Sequence, residues 1–73
     1  MGLYLEIEEV LSEEERLTKQ PQFVRFEVSN EDEAKELYEQ LKPFLADITY
    51  KVYLHYCYHD EGKPCERKEV EWD

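Results

Sequence analysis

The sequence predicts a small α+β domain, a two-layer sandwich in which one main helix lies across one face of a four-stranded, mostly antiparallel sheet (β-β-α-β-β). Four segments alternate apolar and polar residues with the period of two that is typical of strands. One further segment has helical periodicity and lies between a helix start signal and a proline. The chain has 73 residues, which is enough for one domain, so we treat residues 1–73 as a single small unit.

The first predicted strand spans residues 3–8. Leu3, Leu5 and Ile7 alternate with polar residues there and would share one face of a strand. A helix is the alternative, because Leu3, Ile7 and Val10 also fit a period of 3.6 residues. Leu5 lies off that helical stripe, and we therefore favour the strand.

A short helix and a second strand follow. Ser12 and Glu15 have the spacing of a capping box, which predicts one or two turns of helix up to Lys19. Pro21 would end this helix, because proline cannot continue the hydrogen-bonding pattern. Residues 23–28 then alternate apolar and charged side chains, which predicts the second strand.

The main helix has the clearest boundary in the sequence. Asn30 can accept hydrogen bonds from the first free amides of a helix, with Glu33 reaching back to the cap. Pro43 is expected to kink or end the helix. The predicted apolar stripe consists of Ala34, Leu37, Tyr38, Leu41, Phe44 and Leu45.

Residues 48–59 are the longest alternating segment and predict a central strand under the helix. Its even-numbered positions are all apolar or aromatic, whereas its odd-numbered positions include both histidines and one of the two cysteines. Since side chains of a strand alternate between faces, His55, Cys57 and His59 would share the face away from the helix.

The end of the chain predicts a hairpin. Residues 60–64 contain turn-forming residues, and residues 65–72 form a shorter edge strand whose charges discourage aggregation. With the turn centred on Glu61, Cys57 would lie directly opposite Cys65. The sheet face away from the helix has no predicted cover, and we take it as an interaction face with these residues: Arg25, Tyr53, His55, Cys57 and His59.

The cysteines and histidines allow several interpretations. They can be ordinary residues of a partly covered surface, or Cys57 and Cys65 can form a cross-strand disulfide. Alternatively, His55, Cys57 and Cys65 can bind zinc or another transition metal, with Asp60 or Glu66 as a fourth ligand. His59 would lie about 13 Å from His55 along a continuous strand, too far to share one ion. A Cys–His catalytic pair is a further alternative.

Composition limits the possible partners. Nineteen acidic residues oppose nine basic ones, for a formal net charge of −10. We therefore expect no direct binding to nucleic acid or to an anionic membrane. The chain has no long apolar run or signal-peptide pattern, which predicts a cytoplasmic location. The charged fraction of 38% is of the kind found in proteins from thermophilic sources.

Three functions follow from these observations. The first is a non-enzymatic protein-interaction domain that uses the open sheet face, with a second copy as the simplest partner. The second is transition-metal binding, the only cofactor chemistry that the sequence indicates. The third is mimicry of nucleic-acid charge, which would inhibit a basic partner. We expect no enzymatic activity, because the sequence has no glycine-rich phosphate loop and no serine elbow.

Overall fold

The protein is a four-stranded antiparallel sheet with one main helix, as the sequence predicts. The computed structural model describes residues 2–72, and the sheet order is β2-β1-β3-β4. Neither helix in that range has the length and apolar composition needed to cross a membrane. The elements in chain order are β1 (Gly2–Glu9), α1 (Glu13–Arg16), β2 (Phe23–Val28), α2 (Glu31–Leu45), β3 (Tyr50–Cys57), a 3-10 turn (His59–Glu61) and β4 (Glu66–Val70).

The core lies between the sheet and α2. On the central strand β1, Leu5 is fully buried and lies opposite Phe26 of β2 and Leu54 of β3. This register puts the apolar residues of neighbouring strands on one face, because opposite residues of an antiparallel pair share a face. The buried core cluster consists of Leu3, Leu5, Ile7, Val28, Ala34, Tyr38, Val52 and Leu54.

Helix α2 begins at the predicted cap and covers β1 and β2. The side chain of Asn30 accepts a hydrogen bond from the backbone N–H of Glu33 at 2.8 Å. Pro43 does not end the helix, which continues to Leu45. The prediction that Phe44 joins the apolar stripe is wrong, because 82% of its surface is exposed.

Helix α1 is a single turn with the predicted capping box. The backbone N–H of Glu15 donates to the Ser12 hydroxyl, and the N–H of Ser12 donates to the Glu15 carboxylate, each at 3.2 Å. The helix contains no buried residue and ends at Arg16. It therefore contributes a defined connection between β1 and β2 and little to the core.

The β3–β4 hairpin has the predicted register, but its first strand is shorter than predicted. Tyr56 pairs with Glu66, and continuing this register puts Cys57 opposite Cys65. Strand β3 ends at Cys57, and His59 already belongs to the 3-10 turn. His59 therefore does not continue along the strand direction.

Candidate metal centre

The turn of the β3–β4 hairpin brings together two thiols and an imidazole. Cys57 is the last residue of β3, His59 begins the 3-10 turn, and Cys65 directly precedes β4. One donor atom from each of the three residues lies within 4.8 Å of the other two. The two Sγ atoms are 3.7 Å apart, and both cysteines are free thiols.

Backbone hydrogen bonds hold the turn in this shape. The N–H of Glu61 donates to the carbonyl of Tyr58 at 2.9 Å, and the N–H of Gly62 donates to the carbonyl of His59 at 3.2 Å. Gly62 has a φ of +69°, in the left-handed region that glycine adopts without steric cost. This tight turn directs the ring of His59 back towards the end of β3.

The donor spacing resembles a tetrahedral metal site. Bond lengths of about 2.3 Å to sulfur and about 2.05 Å to nitrogen place two tetrahedral sulfurs about 3.8 Å apart, and sulfur and nitrogen about 3.6 Å apart. The Cys57–Cys65 Sγ distance of 3.7 Å and the Cys65 Sγ–His59 Nδ1 distance of 3.8 Å lie close to these values. The Cys57 Sγ–His59 Nδ1 distance is only 2.8 Å, but a rotation of the exposed His59 side chain would widen it.

His55, which the sequence placed in the donor set, lies in a different cluster. Its Nδ1 atom is 2.9 Å from Oε2 of Glu6. Because a carboxylate accepts hydrogen bonds, this contact places a proton on Nδ1 of His55. The structure thus brings together Cys57 and Cys65 from the predicted set and supplies His59 as the third donor. Within residues 2–72, the group does not extend to Asp60 or Glu66.

Glu6 is the centre of the second cluster, on the open sheet face. Only 1% of the residue is exposed, although strand alternation assigns it to the solvent side. Arg25 contacts Oε2 through Nε at 2.9 Å and Nη2 at 2.8 Å, and Arg67 Nε donates to Oε1 at 2.7 Å. With His55, these residues surround one buried carboxylate with donors from three strands.

The environment of Glu6 favours its charged form. Burial alone would raise the pKa of its carboxyl group. The hydrogen bonds from Arg67 and His55, the positive charge of His55 and the hydrogen bond from Arg25 together outweigh burial and lower the pKa below its ordinary value of 4.5. The carboxylate therefore holds the open face together and is not poised for proton transfer near neutral pH.

An aromatic ring lies against the guanidinium group of each of the two arginines. The guanidinium of Arg67 lies 3.8 Å from the ring centre of Tyr53, and that of Arg25 lies 5.3 Å from the ring centre of Tyr4. These are cation–π distances. Arg25, Tyr53 and His55 of the predicted interaction face thus contact the Glu6 cluster or its rings, whereas His59 belongs to the hairpin turn.

The Cys57–His59 contact also meets the distance requirement of a catalytic pair. Such a pair needs a further group that orients the imidazole. The other ring nitrogen of His59, Nε2, is 3.5 Å from Sγ of Cys65, which is a second thiol and not an orienting carboxylate or amide. Two sulfurs around one imidazole are more typical of a metal ligand set than of a nucleophile and its base.

Comparison with known proteins adds no family or relative: no family model, no curated protein and no solved structure matches this chain.

Proposed function

We propose that this protein binds a transition-metal ion of the zinc type through Cys57, His59 and Cys65. The observation that carries the proposal is the convergence of these three donors within 4.8 Å at one hairpin turn. Thiolate and imidazole ligands are suited to zinc and to other borderline or soft metals, and not to magnesium or calcium. Three protein ligands leave a fourth tetrahedral position for water or for an external ligand.

The rest of the hairpin supports the proposal. Cys57 ends β3 and Cys65 directly precedes β4, so the pairing of these two strands holds the sulfurs near each other, whereas the histidine belongs to a compact turn. Cys57 and Cys65 are partly buried and His59 is exposed. An ion can therefore reach the donors from solvent without opening the core.

Cobalt titration of the reduced protein tests the proposal. We expect one Co²⁺ per chain, with visible absorption bands of tetrahedral coordination and near-ultraviolet charge-transfer bands from two thiolates. Zinc should displace the cobalt and remove the bands. Affinity should fall as the pH is lowered, because both thiols and the imidazole must be deprotonated to bind.

Two histidine variants form a matched pair. Loss of a hydrogen-bond partner behind a metal ligand costs about 10–100-fold in affinity, so His59→Asn, which removes a ligand, should cost at least as much. His55→Asn should leave affinity within a few fold, because His55 contacts Glu6. Absence of stoichiometric binding to the wild type, or equal affinity in the His59→Asn variant, would contradict the proposal.

The interaction domain that the sequence predicts is a separate proposal. The polar groups at the centre of the open face already bond with one another around Glu6. A partner on this face would have to cover a satisfied charged network. The apolar edge of the sheet, which is strand β2, offers a better surface for a second copy.

A further inference from the structure

The two edge strands of the sheet differ in their protection against pairing. Strand β4 reads Glu-Arg-Lys-Glu-Val, and such charges discourage the addition of another strand. Strand β2 reads Phe-Val-Arg-Phe-Glu-Val and has the enrichment in aromatic and β-branched residues that favours strand pairing. Phe23 and Val24 on β2 are 48% and 42% exposed.

The backbone of β2 has free pairing groups at alternate residues. The N–H of Glu9 donates to the carbonyl of Gln22 at 2.9 Å, so residue 22 directs its carbonyl towards β1. Because backbone groups alternate in direction along a strand, Val24 and Phe26 also bond towards β1. Arg25 and Glu27 therefore direct their N–H and C=O groups away from the sheet.

We infer that a second copy of this chain pairs with this edge, β2 against β2 in antiparallel orientation, about a twofold axis through Phe26. This register places Arg25 opposite the partner's Glu27, and Glu27 opposite the partner's Arg25. The outward N–H and C=O groups of Arg25 then bond with those of the partner's Glu27, and those of Glu27 bond with the partner's Arg25. Opposite charges on facing residues stabilise such a pair.

The apolar residues fit the same register. Val24 lies opposite the partner's Val28, and the two Phe26 side chains face each other across the axis, all on the helix side of the sheet. Each core would then continue into the other, and the exposed Val24 side chain would be covered. The result is one eight-stranded sheet with a β4 strand at each outer edge.

Neighbouring symmetric registers fit less well. An axis through Arg25 would place two arginines directly opposite each other, and an axis through Glu27 would do the same with two glutamates. An axis between adjacent residues would set the apolar face of one copy against the polar face of the other. Charge and side-chain alternation therefore favour the axis through Phe26 over its immediate neighbours on either side.

This pairing is independent of the proposed metal function. The hairpin of Cys57 and Cys65 joins β3 and β4, on the other side of the central strand β1. A short strand pair is smaller than a standard interface of about 1,600 Å². We therefore expect a reversible dimer with a dissociation constant between about 1 μM and 1 mM.

Amide hydrogen exchange at several protein concentrations tests the inference residue by residue. Between about 10 μM and about 1 mM, protection of the Arg25 and Glu27 amides should rise with the dimer fraction measured by sedimentation. The Phe26 amide, which bonds towards β1, should be protected throughout. Exchange at Arg25 and Glu27 that does not depend on concentration would overturn the inference.

Charge reversal on the two edges provides the matched control. Glu27→Lys puts like charges opposite each other twice in the dimer, and we expect at least about a tenfold weaker association. Glu69→Lys makes the same charge change on β4 and should not weaken the association of the two copies. Circular dichroism and thermal melting establish that both variants fold. Equal association of the two folded variants, or a monomeric wild type at about 1 mM, would overturn the inference.

Discussion

At the scale of single residues, Glu6 is the hydrogen-bonding centre of the open sheet face. Its carboxylate receives donors from β2, β3 and β4, and so it links the central strand to every other strand. A buried carboxylate is tolerated only when its hydrogen bonds are satisfied. No buried side-chain oxygen or nitrogen within residues 2–72 lacks a partner, and Glu6 meets this requirement through charged neighbours.

Replacing Glu6 by glutamine should lower the free energy of unfolding by about 1–3 kcal/mol, because charged hydrogen bonds are lost at a buried site. The side chains of Arg25 and Arg67 are 49% and 40% exposed, so screening by solvent limits the loss of stability. Urea unfolding measures the change. Glu8→Gln is the control: Glu8 is 42% exposed and lies 3.5 Å from Arg67, and this change should cost less than about 1 kcal/mol. An equal loss in both variants would contradict the role of Glu6.

The lowered pKa of Glu6 predicts a dependence of stability on acid. A carboxyl group with a lower pKa in the folded state stabilises the protein above its unfolded pKa, which is near 4.5. This contribution is lost as the pH falls through the lower, folded pKa. The stability difference between wild type and Glu6→Gln should therefore shrink from about pH 6 to about pH 3. A constant difference over this range would show that the charge of Glu6 is not responsible.

Tyr56 gives a spectroscopic prediction. Its hydroxyl donates to the carboxylate of Glu31, at the start of α2. This bond, together with burial and the negative charge of Glu31, raises the pKa of Tyr56 to about 12. In an ultraviolet titration, one tyrosine should ionise near pH 12, and Glu31→Gln should shift it towards the ordinary value of 10.0. An unchanged titration curve in that variant would argue against the contact.

At the scale of elements, the features that depend on neighbouring residues were predictable. The capping box of α1, the Asn30 cap of α2 and the bounds of β2 agree with the sequence pattern, because caps and alternation are local signals. The end of β3 at Cys57 was not predictable from alternation, since the aromatic and polar pattern continues through His59. The strand gives way to the 3-10 turn although the sequence pattern continues.

The same distinction explains the candidate site. The pairing of Cys57 with Cys65 follows from the turn residues, and the sequence predicts it. The position of His59 depends on where the strand stops, so alternation wrongly continues it along the strand. Nothing in the sequence indicated that Glu6 is buried, because a glutamate at an outward position usually faces water. Its burial requires arginines from β2 and β4, which are distant in sequence.

The two helix caps should differ in their effect on stability. Asn30→Ala should lower the free energy of unfolding by about 1 kcal/mol, because α2 supplies Ala34 and Tyr38 to the core. Ser12→Ala should cost less, since α1 is one turn with no buried residue. Chemical denaturation of the two variants measures the difference. A larger loss for Ser12→Ala would mean that α1 matters more for the fold than its exposure indicates.

At the scale of the whole molecule, metal binding should be coupled to stability. An ion that binds only the folded chain stabilises it by about 2.7 kcal/mol at a free concentration of one hundred times Kd. Zinc should therefore raise the melting temperature of the reduced wild type and of His55→Asn by similar amounts, and that of His59→Asn by less at the same zinc concentration. Equal responses of the two variants would exclude His59 as the ligand that couples binding to folding.

The position of β1 in the sheet has a consequence for the order of folding. β1 is made first but lies at the centre, where it pairs with β2 and with β3, and Gly2 meets Cys57. Such distant pairings are slow to form, because a long loop must close before they stabilise the chain. The β3–β4 hairpin needs only a local turn, and its three donors lie within residues 57–65. A ribosome must therefore release the chain as far as the end of β3 before β1 finds its second partner. The β3–β4 hairpin emerges last, but it needs no distant residue and can close as soon as β4 is released.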